Sequence, residues 1–295
     1  MSKRSGWLVI DKPLHLTSTQ VGSIVRRTLG LKKIGHIGTL DPLATGVLAL
    51  ALEEATKAIP YYTILYKTYD FEVTWGESRS TDDKEGEITE TSLERPTLGQ
   101  IQSLLPKFIG NIQQLPPAFS AIKVNGRRSY EMARAGEIVE LLPRNVCIHS
   151  LEITKLINAD QCQFRVVCGS GTYVRSLGRD MAVALGTFGH ISELRRMQDG
   201  KFSIKDAISL EKFKEIAHKE EVYQCIKPIG AVLDDIPAVS VSVSDIEKLR
   251  HGQKIKPYDG ASGQDLVRIY DHDNLAVIAT LEDGYWHPKR VFHCN

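Results

Sequence analysis

One carboxylate stands out as a candidate for chemistry, because it lies among residues that restrict the backbone. Residues 35–46 read Gly-His-Ile-Gly-Thr-Leu-Asp-Pro-Leu-Ala-Thr-Gly, with Asp41 as the only acid. Glycine adopts positive φ angles at little steric cost, and a proline such as Pro42 keeps the residue before it out of the helical region. The pattern predicts a constrained loop that presents Asp41, either as a nucleophile or base or merely as a turn or helix cap.

The neighbouring segments predict how this loop is held. Residues 47–52 form an unbroken apolar run of strand length, typical of a strand buried on both faces. Before the loop, residues 7–10 predict a strand, and Thr17-Ser18 precede a helical pattern that ends at Gly30. After the loop, residues 54–65 predict a helix despite an internal proline. A buried strand and a helix thus anchor the loop.

Two glycine-rich motifs do not account for Asp41. A phosphate-binding loop would continue with Gly-Lys-Ser/Thr, which the sequence lacks here. Residues 35–38 match the Gly-x-x-Gly clamp of KH domains, but so short a match recurs by coincidence. Neither motif explains the carboxylate.

The composition is that of an ordinary globular protein. The 295 residues are 42% hydrophobic and 25% charged, which suits one large domain and a small one. No run of about eighteen apolar residues predicts a membrane span, and no signal-peptide core follows the first methionine. The five cysteines form no Cys-x-x-Cys pair, which favours neither disulfides nor zinc. We expect a cytoplasmic protein with reduced thiols and no metal.

Charge is distributed unevenly although the net charge is only +1. Residues 1–36 carry seven lysines and arginines and one carboxylate, and residues 77–94 carry seven carboxylates and two basic side chains. Phosphates favour the first segment and avoid the second. The alternative is two ordinary solvated stretches, and the acidic one predicts an exposed hairpin connection whose spacing does not match a calcium loop.

Tyr69 and Arg175 each allow a functional and an ordinary interpretation. Residues 67–75 alternate as a half-buried strand, so Tyr69 on the apolar face is a packing residue by pattern alone. Arg175 lies near the start of a predicted helix at 173–185, where a cation is disfavoured unless an anion compensates it. Its partner could be a functional carboxylate, or else Asp180 or solvent.

A basic segment at residues 120–134 contains Lys123, Arg127 and Arg128 around an Asn-Gly turn at 125–126, followed by Tyr130. Cations interleaved with an aromatic ring suit contacts with RNA. A plain solvated hairpin followed by a helix is the alternative.

The Asp41 segment, written Gly-His-x-Gly-Thr-Leu-Asp-Pro-Leu-Ala-Thr-Gly-Val-Leu, resembles the catalytic motif of TruB-type tRNA pseudouridine synthases. Further segments agree with this family in order, at residues 8–13, 54–57, 67–69, 116–126, 171–175 and 194–196. Ile37 departs from the family, which usually has threonine there, and Ser80 stands where aspartate is common. These departures affect local contacts and leave the class unchanged.

The resemblance implies an α+β fold: a mixed, mainly antiparallel sheet with flanking helices. It implies a catalytic domain at residues 1–235 with a thumb-like basic insertion at about 116–144. The weaker pattern of residues 236–295 includes alternating Val239, Val241 and Val243, a helix at about 245–251 and short strands. This part resembles a small PUA-like RNA-binding β-barrel, with a merely structural appendage as the alternative.

The resemblance also implies the activity, which is the isomerisation of uridine to pseudouridine in tRNA, at position 55 of the TΨC loop, by a monomer without a cofactor. Asp41 would be the catalytic carboxylate, Arg175 its partner, and Tyr69 would stack on the base and assist proton transfer. The substrate-binding residues would be Lys12, His36, Lys57, Lys123, Arg127, Arg128, Tyr173 and Leu194. Three steps are open to Asp41: addition to the base, attack on C1′ and removal of the 2′ proton.

Two other classes of function remain as alternatives. A non-catalytic RNA-binding or tRNA-folding protein explains the basic segments but leaves Asp41, Tyr69 and Arg175 unused. A glycoside hydrolase uses carboxylates at C1′ but normally needs two of them flanking the bond. The loop at residues 35–46 offers one.

Overall fold

The computed structural model describes residues 4–63, 66–120, 122–124, 126–258 and 263–293. The strands in the first half are β1 Gly6–Lys12, β2 Ile34–Ile37, β3 Ala44–Leu52, β4 Lys67–Trp75, β5 Glu77–Arg79, β6 Ile88–Thr91, β7 Gly110–Gln114, β8 Lys123–Val124 and β9 Arg127–Arg128. Those in the second half are β10 Arg144–Leu156, β11 Gln161–Cys168, β12 Gly189–Asp199, β13 Phe202–Ser203, β14 Ile208–Ser209, β15 Ile226–Lys227, β16 Ala238–Val239, β17 Leu266–Asp271, β18 Asn274–Glu282 and β19 Tyr285–Val291.

The α-helices are α1 Ser18–Leu29, α2 Leu98–Leu104, α3 Ser129–Arg134, α4 Val174–Ala184, α5 Leu210–Ile216, α6 Glu221–Gln224 and α7 Val243–Arg250. The segments Glu53–Tyr61, Leu105–Phe108, Ile204–Asp206 and Ile229–Val232 are 3₁₀ helices. The chain forms two compact units. The first contains Met1–Asp41, Val47–Thr63 and Lys205–Asn295, and the second contains Pro42–Gly46 and Ile64–Ile204.

The second unit is built on a mainly antiparallel sheet in the order β12-β4-β11-β10-β7. β4 and β11 alternate buried and partly exposed side chains, and Phe71 of β4 stacks on Phe164 of β11 with ring centroids 5.3 Å apart. Helix α4 covers β12, and a Cβ added to Gly178 of the helix would lie 2.6 Å from Ile191. Strands and helices of this kind confirm the predicted α+β class.

The first unit holds the elements that precede Asp41. β1 pairs with β14 in parallel and with β15 antiparallel, and β2 pairs antiparallel with β3. Helix α1 begins with a capping box between Thr17 and Gln20 and ends at Gly30, whose φ is 62°. These local signals place the helix where the sequence predicts it.

Residues 238–291 form a separate four-stranded sheet in the order β16-β17-β18-β19. Its apolar core includes Leu249 of α7, Ile269 and the fully buried Trp286. The predicted alternation at 239–243 is wrong at its end, because Ser242 caps α7 and the exposed Val243 is the first helical residue. The barrel-like character of this part stays a prediction.

Two other predictions need correction. Residues 53–61 form a 3₁₀ helix with Pro60 inside it, since proline removes an α-helical hydrogen bond, and residues 64 and 65 lie outside the described chain. Gly35 is part of β2 and pairs with Ala51, so the irregular backbone around Asp41 begins only at Gly38.

Candidate active site

Asp41 lies in the short loop between β2 and β3, as predicted. Gly38 turns the chain with a φ of 59°. The hydroxyl of Ser18, at the start of α1, accepts a hydrogen bond from the Leu40 N–H at 2.8 Å and donates one to the Leu40 carbonyl at 3.1 Å. Both backbone groups of the residue before Asp41 are therefore fixed. The half-buried aspartate is presented from a defined position.

The residues after Asp41 are also fixed. Residues 44–46 pair in parallel with residues 194–196 of β12. Gly46 has a φ of 98°, and a Cβ added to it would lie 2.2 Å from the carbonyl oxygen of Arg196. Only glycine permits this approach of the two backbones. Leu194, the predicted contact of the target base, lies opposite Ala44 and is buried.

Tyr69 lies in the middle of β4 and is 7% exposed, as its position on the apolar face predicts. Its register partners are Arg196 on β12 and Val166 on β11. Burial raises the pKa of Tyr69 to about 12, although the charge of Arg196 and a hydrogen bond from it act in the opposite direction. The phenol is therefore protonated at neutral pH. It combines a buried ring with a polar tip that can donate a proton.

Arg175 is buried in the first turn of α4. Its guanidinium donates hydrogen bonds to the carbonyls of Thr81 at 2.9 Å and Phe119 at 2.8 Å. One of its nitrogens lies 3.6 Å from a carboxylate oxygen of Asp83. Asp83 thus supplies an anion that a cation at a helix N-terminus requires. Asp41 belongs to the other unit, and its pairing with Arg175 stays a prediction.

The prediction of a solvated connection at residues 77–94 is wrong at its turn. β5 and β6 form the expected hairpin, but Asp83 is only 3% exposed. Asp82 accepts a hydrogen bond from Arg179 at 2.8 Å. Burial raises the pKa of Asp82, and the charge of Arg179 opposes that shift. The reason is helical geometry, because Arg175 and Arg179 lie one turn apart on α4 and together recruit both carboxylates.

The start of helix α4 also makes hydrogen bonds to residues 114 and 115, which precede the basic segment. The backbone N–H of Tyr173, at the helix start, donates to the side-chain oxygen of Gln114 at 2.8 Å. The Ser176 hydroxyl donates to the Leu115 carbonyl, also at 2.8 Å. The helix that carries Arg175 therefore fixes the end of β7.

The three cations predicted to bind RNA in the basic segment, Lys123, Arg127 and Arg128, are exposed on β8 and β9. Arg127 makes a two-pronged ion pair with Glu137 at 2.9 and 2.8 Å. The predicted turn includes Asn125, which lies outside the described residues. The hairpin exists as predicted, and α3 follows it directly.

Lys12, one of the predicted RNA-binding cations of the first basic segment, is not exposed. It is fully buried, and its ammonium donates to the carbonyls of Pro13 at 2.9 Å and Leu16 at 2.6 Å. The structure thus uses this charge to satisfy carbonyls of the turn after β1. The rest of the first basic segment does face solvent, at Arg4, Arg26, Arg27, Lys32 and Lys33, and Lys3 lies outside the described residues.

His36 and Lys57 also have local contacts. The His36 ring is half-buried, with a nitrogen 3.2 Å from the Thr39 hydroxyl. The Lys57 ammonium pairs with Glu54 at 2.7 Å and donates to the Val291 carbonyl at 2.9 Å. Their predicted contacts with RNA stay predictions.

Sequence reasoning missed one buried charged pair near Tyr69. Arg196 and Asp199 are both fully buried, with nitrogen and oxygen 3.1 Å apart. The motif at residues 194–196 contains the arginine, but its sequence does not predict burial. Residues three apart on a regular strand point to opposite faces, so no local pattern at residues 189–199 predicts the pair.

The described residues contain no group of three or more His, Cys, Asp or Glu side chains that could hold a metal ion. Among them, no helix is long and apolar enough to cross a membrane. Cys147, Cys162, Cys168 and Cys225 are free thiols, and burial raises the pKa of Cys162 and of Cys168 to about 11.

Comparison with known proteins connects this arrangement to one family. The model for the N-terminal domain of TruB family pseudouridylate synthases matches residues 26–174. The tRNA pseudouridylate synthase B C-terminal domain matches residues 175–234, and the C-terminal model of pseudouridine synthase II TruB matches residues 237–292. The three models therefore cover nearly the whole chain in order.

Similar proteins agree with these matches. A tRNA pseudouridine synthase B from Bradyrhizobium diazoefficiens is 43% identical over 295 residues, which are 98% of this chain and 86% of that protein. One from Ruegeria sp. (strain TM1040) is 44% identical over 98% of this chain and 96% of its own. A chain in the crystal structure of a Cbf5-Nop10-Gar1 complex has a TM-score of 0.71 at 26% identity, over 99% of this chain and 86% of its own. The chain belongs to the TruB family of pseudouridine synthases.

Proposed function

We propose that this protein converts uridine to pseudouridine in tRNA, at position 55 in the TΨC loop. The family supplies the reaction, and the names of the relatives specify tRNA. In the reaction the C1′–N1 bond breaks, the uracil rotates, a C1′–C5 bond forms, the C5 proton leaves and N1 takes up a proton. Atoms balance without an oxidant or an imported group, so the chemistry needs no cofactor.

Asp41 is the carboxylate of this reaction. The observation that carries the proposal is the fixed backbone on both sides of it, from Ser18 before and from the pairing of residues 44–46 after. A catalytic group must be held within a fraction of an ångström of its target, and a rigid loop achieves this without further ordering on binding. An ordinary turn would not require such restraint.

Tyr69 and Arg175 assist Asp41. Tyr69 stacks on the target base and moves a proton in a later step, which its protonated phenol suits. Arg175 keeps the Asp41 carboxylate ionised and oriented, in addition to its contact with Asp83. Two backbone carbonyls hold its guanidinium in place for this role.

The target base must leave the folded tRNA loop, at a cost of a few kcal/mol. We assign the vacated space to His36 and the walls around the extruded base to Tyr173 and Leu194. The exposed hairpin cations contact phosphates, and Lys57 lies among the remaining RNA contacts.

The domain roles belong to the same proposal. Residues 1–235 contain the catalytic machinery, residues 116–144 act as a thumb over the RNA, and residues 236–295 form a PUA-like RNA-binding module. The protein acts as a cytoplasmic monomer. Sedimentation of the free protein and of its tRNA complex measures the stoichiometry, and a dimer would contradict that part.

Tritium release from tRNA transcript labelled at uridine C5 tests the reaction, because forming the C1′–C5 bond expels that proton. Wild-type protein should release tritium, and Asp41→Asn should release none while tRNA affinity changes by less than about tenfold. Asp70→Asn is the matched control. Asp70 is an aspartate of the second unit that pairs with Arg165 at 2.7 Å, and its loss should leave turnover intact.

A transcript with cytidine at position 55 tests the site within tRNA. It should release no tritium, although it carries labelled uridines elsewhere. Release from this transcript would contradict position 55 and leave the chemistry standing. Turnover by Asp41→Asn would contradict the catalytic assignment itself.

A further inference from the structure

Three ionisable side chains lie around Tyr69 within the second unit. Tyr69 is paired in register with Arg196, and Lys67 is paired with Asp199. Side chains two residues apart on a strand share a face, and directly paired residues on neighbouring strands lie about 5 Å apart. β4 therefore presents Lys67 and Tyr69 side by side, opposite a charged pair on β12.

An irregularity in β12 makes this arrangement possible. Residues three apart on a regular strand point to opposite faces of the sheet. The register of β12 against β4 shifts between Arg196 and Gln198, which leaves Met197 as the extra residue of a bulge. The bulge returns Asp199 to the face of Arg196, where the two side chains lie 3.1 Å apart. It is therefore the feature that creates the pair.

Stability alone does not account for a fully buried pair at this place. Removing two charges from water is costly, and apolar residues of similar volume often serve a protein as well or better. The backbone of Arg196 is also tightly packed, since a Cβ added to the neighbouring Gly46 would lie 2.2 Å from the Arg196 carbonyl oxygen. A fully buried guanidinium in ion-pair contact with Asp199 is restricted in its motion and can serve as a hydrogen-bond donor.

We propose that Arg196, held by Asp199, positions the Tyr69 hydroxyl for proton transfer. This inference rests on the proposed role of Tyr69. Arginine has only donors, so in the hydrogen bond between the two side chains the guanidinium donates and the phenol oxygen accepts. The phenol proton must then point away from Arg196. It is aimed at another acceptor, and a phenolate left after its transfer would lie beside a cation.

The two members of the pair have distinct tasks. Arg196 directs the hydroxyl, and its planar fork can contact the phenol and the carboxylate at once, which a lysine ammonium does with less defined geometry. Asp199 orients the fork and balances its charge. Its charge also acts on Lys67: burial lowers the pKa of Lys67, and the charge of Asp199 partly opposes that shift. Neither residue of the pair needs to touch the RNA, so both are positioning residues.

The test uses the full-length protein in single-turnover tritium release with saturating enzyme. Arg196→Lys keeps the charge and loses the fork. The double variant Arg196→Met with Asp199→Leu removes both charges together, which avoids leaving one buried charge alone. Arg165→Lys is the matched control, because Arg165 is also a strand arginine of the second unit that pairs with an aspartate, Asp70, at 2.7 Å.

Both variants at Arg196 should lower the single-turnover rate by at least about 100-fold, the range of a lost general acid or base, while tRNA affinity stays within about threefold. Arg165→Lys should keep the wild-type rate. Adding either change to Tyr69→Phe should lower the remaining rate by less than about threefold, because Arg196 acts through the hydroxyl already removed. A purely structural role would lower the rate by the same factor in both backgrounds.

Two results separate failure of this inference from failure of the proposed function. A wild-type rate in Tyr69→Phe would remove the role of Tyr69 and this inference with it. An impaired Tyr69→Phe together with a normal rate in the folded double variant would overturn the role of Arg196 alone. Equal losses in the two backgrounds would also overturn it.

Discussion

Replacing Arg175 by lysine tests whether this residue only stabilises the fold or also contributes to the reaction. Two different guanidinium nitrogens donate to the carbonyls of Thr81 and Phe119, and one of them also faces Asp83. A lysine has a single nitrogen at the end of a flexible stem and loses at least one of these contacts. We expect the variant to fold, with a cation still beside the Asp83 carboxylate but without the planar guanidinium.

The structure sets the size of the effect. A hydrogen bond to a charged donor contributes about 1.5–3 kcal/mol, and the site is only 5% exposed, so solvent does not replace the donor. A loss of about 2 kcal/mol in the free energy of unfolding corresponds to a fall of about 4–8 °C in Tm for a domain of this size. If Arg175 orients Asp41 as proposed, the single-turnover rate should fall by more than about 100-fold, because an ammonium does not reproduce a planar fork.

Arg179→Lys is the control for this experiment. Arg179 lies one turn further along α4 and donates to the Leu115 carbonyl at 2.8 Å and to Asp82 at 2.8 Å. It should lose a similar amount of stability, measured by scanning fluorimetry, but keep its rate in the tritium assay. If Arg175→Lys were destabilised like the control and still turned over at the wild-type rate, Arg175 would be a structural arginine.

Three further predictions concern other parts of the molecule. Tyr69→Phe should bind tRNA normally and lose at least about 100-fold in single-turnover rate, whereas a wild-type rate would make Tyr69 a packing residue. Lys123→Ala with Arg128→Ala should reduce the salt dependence of tRNA affinity by about one unit of slope per lost phosphate contact, and an unchanged slope would remove these cations from the interface. Burial lowers the pKa of His190 from 6.5, so the folded state binds this proton more weakly than the unfolded chain and stability is lost as pH falls through 6.5. Between pH values of about 7.5 and 5.5, the Tm of His190→Gln should therefore fall less than that of wild type. The two proteins should differ in the pH dependence of the free energy of unfolding by at most about 1.4 kcal/mol per pH unit. Equal falls in Tm would contradict the prediction.

The sequence predicted those elements whose signals are local. Helix α1 carries its own start at Thr17 and its own stop at Gly30, and both caps are formed. The apolar run at 47–52 is buried along its whole length. The Asp41 loop also follows from nearby residues, because a glycine and a proline restrict the backbone without help from the rest of the chain.

Features that depend on distant partners were not predictable in this way. The carboxylates at Asp82 and Asp83 belong to a strongly acidic segment, and such segments are normally solvated. Their burial arises from arginines on α4, which lies about ninety residues further along the chain. The composition around residue 83 therefore does not predict that a distant helix buries these carboxylates.

Gly46 is required by the structure, but not for the irregular backbone that the sequence pattern indicates. Counted with the other glycines of its motif, it indicates irregular backbone, yet it lies inside β3. Its requirement comes from Arg196, whose backbone leaves no room for a Cβ on the paired strand. That same arginine is the register partner of Tyr69. The glycine that ends the Asp41 motif therefore lets β3 pair closely with β12 at Arg196, the residue that the register of β12 and β4 sets opposite Tyr69.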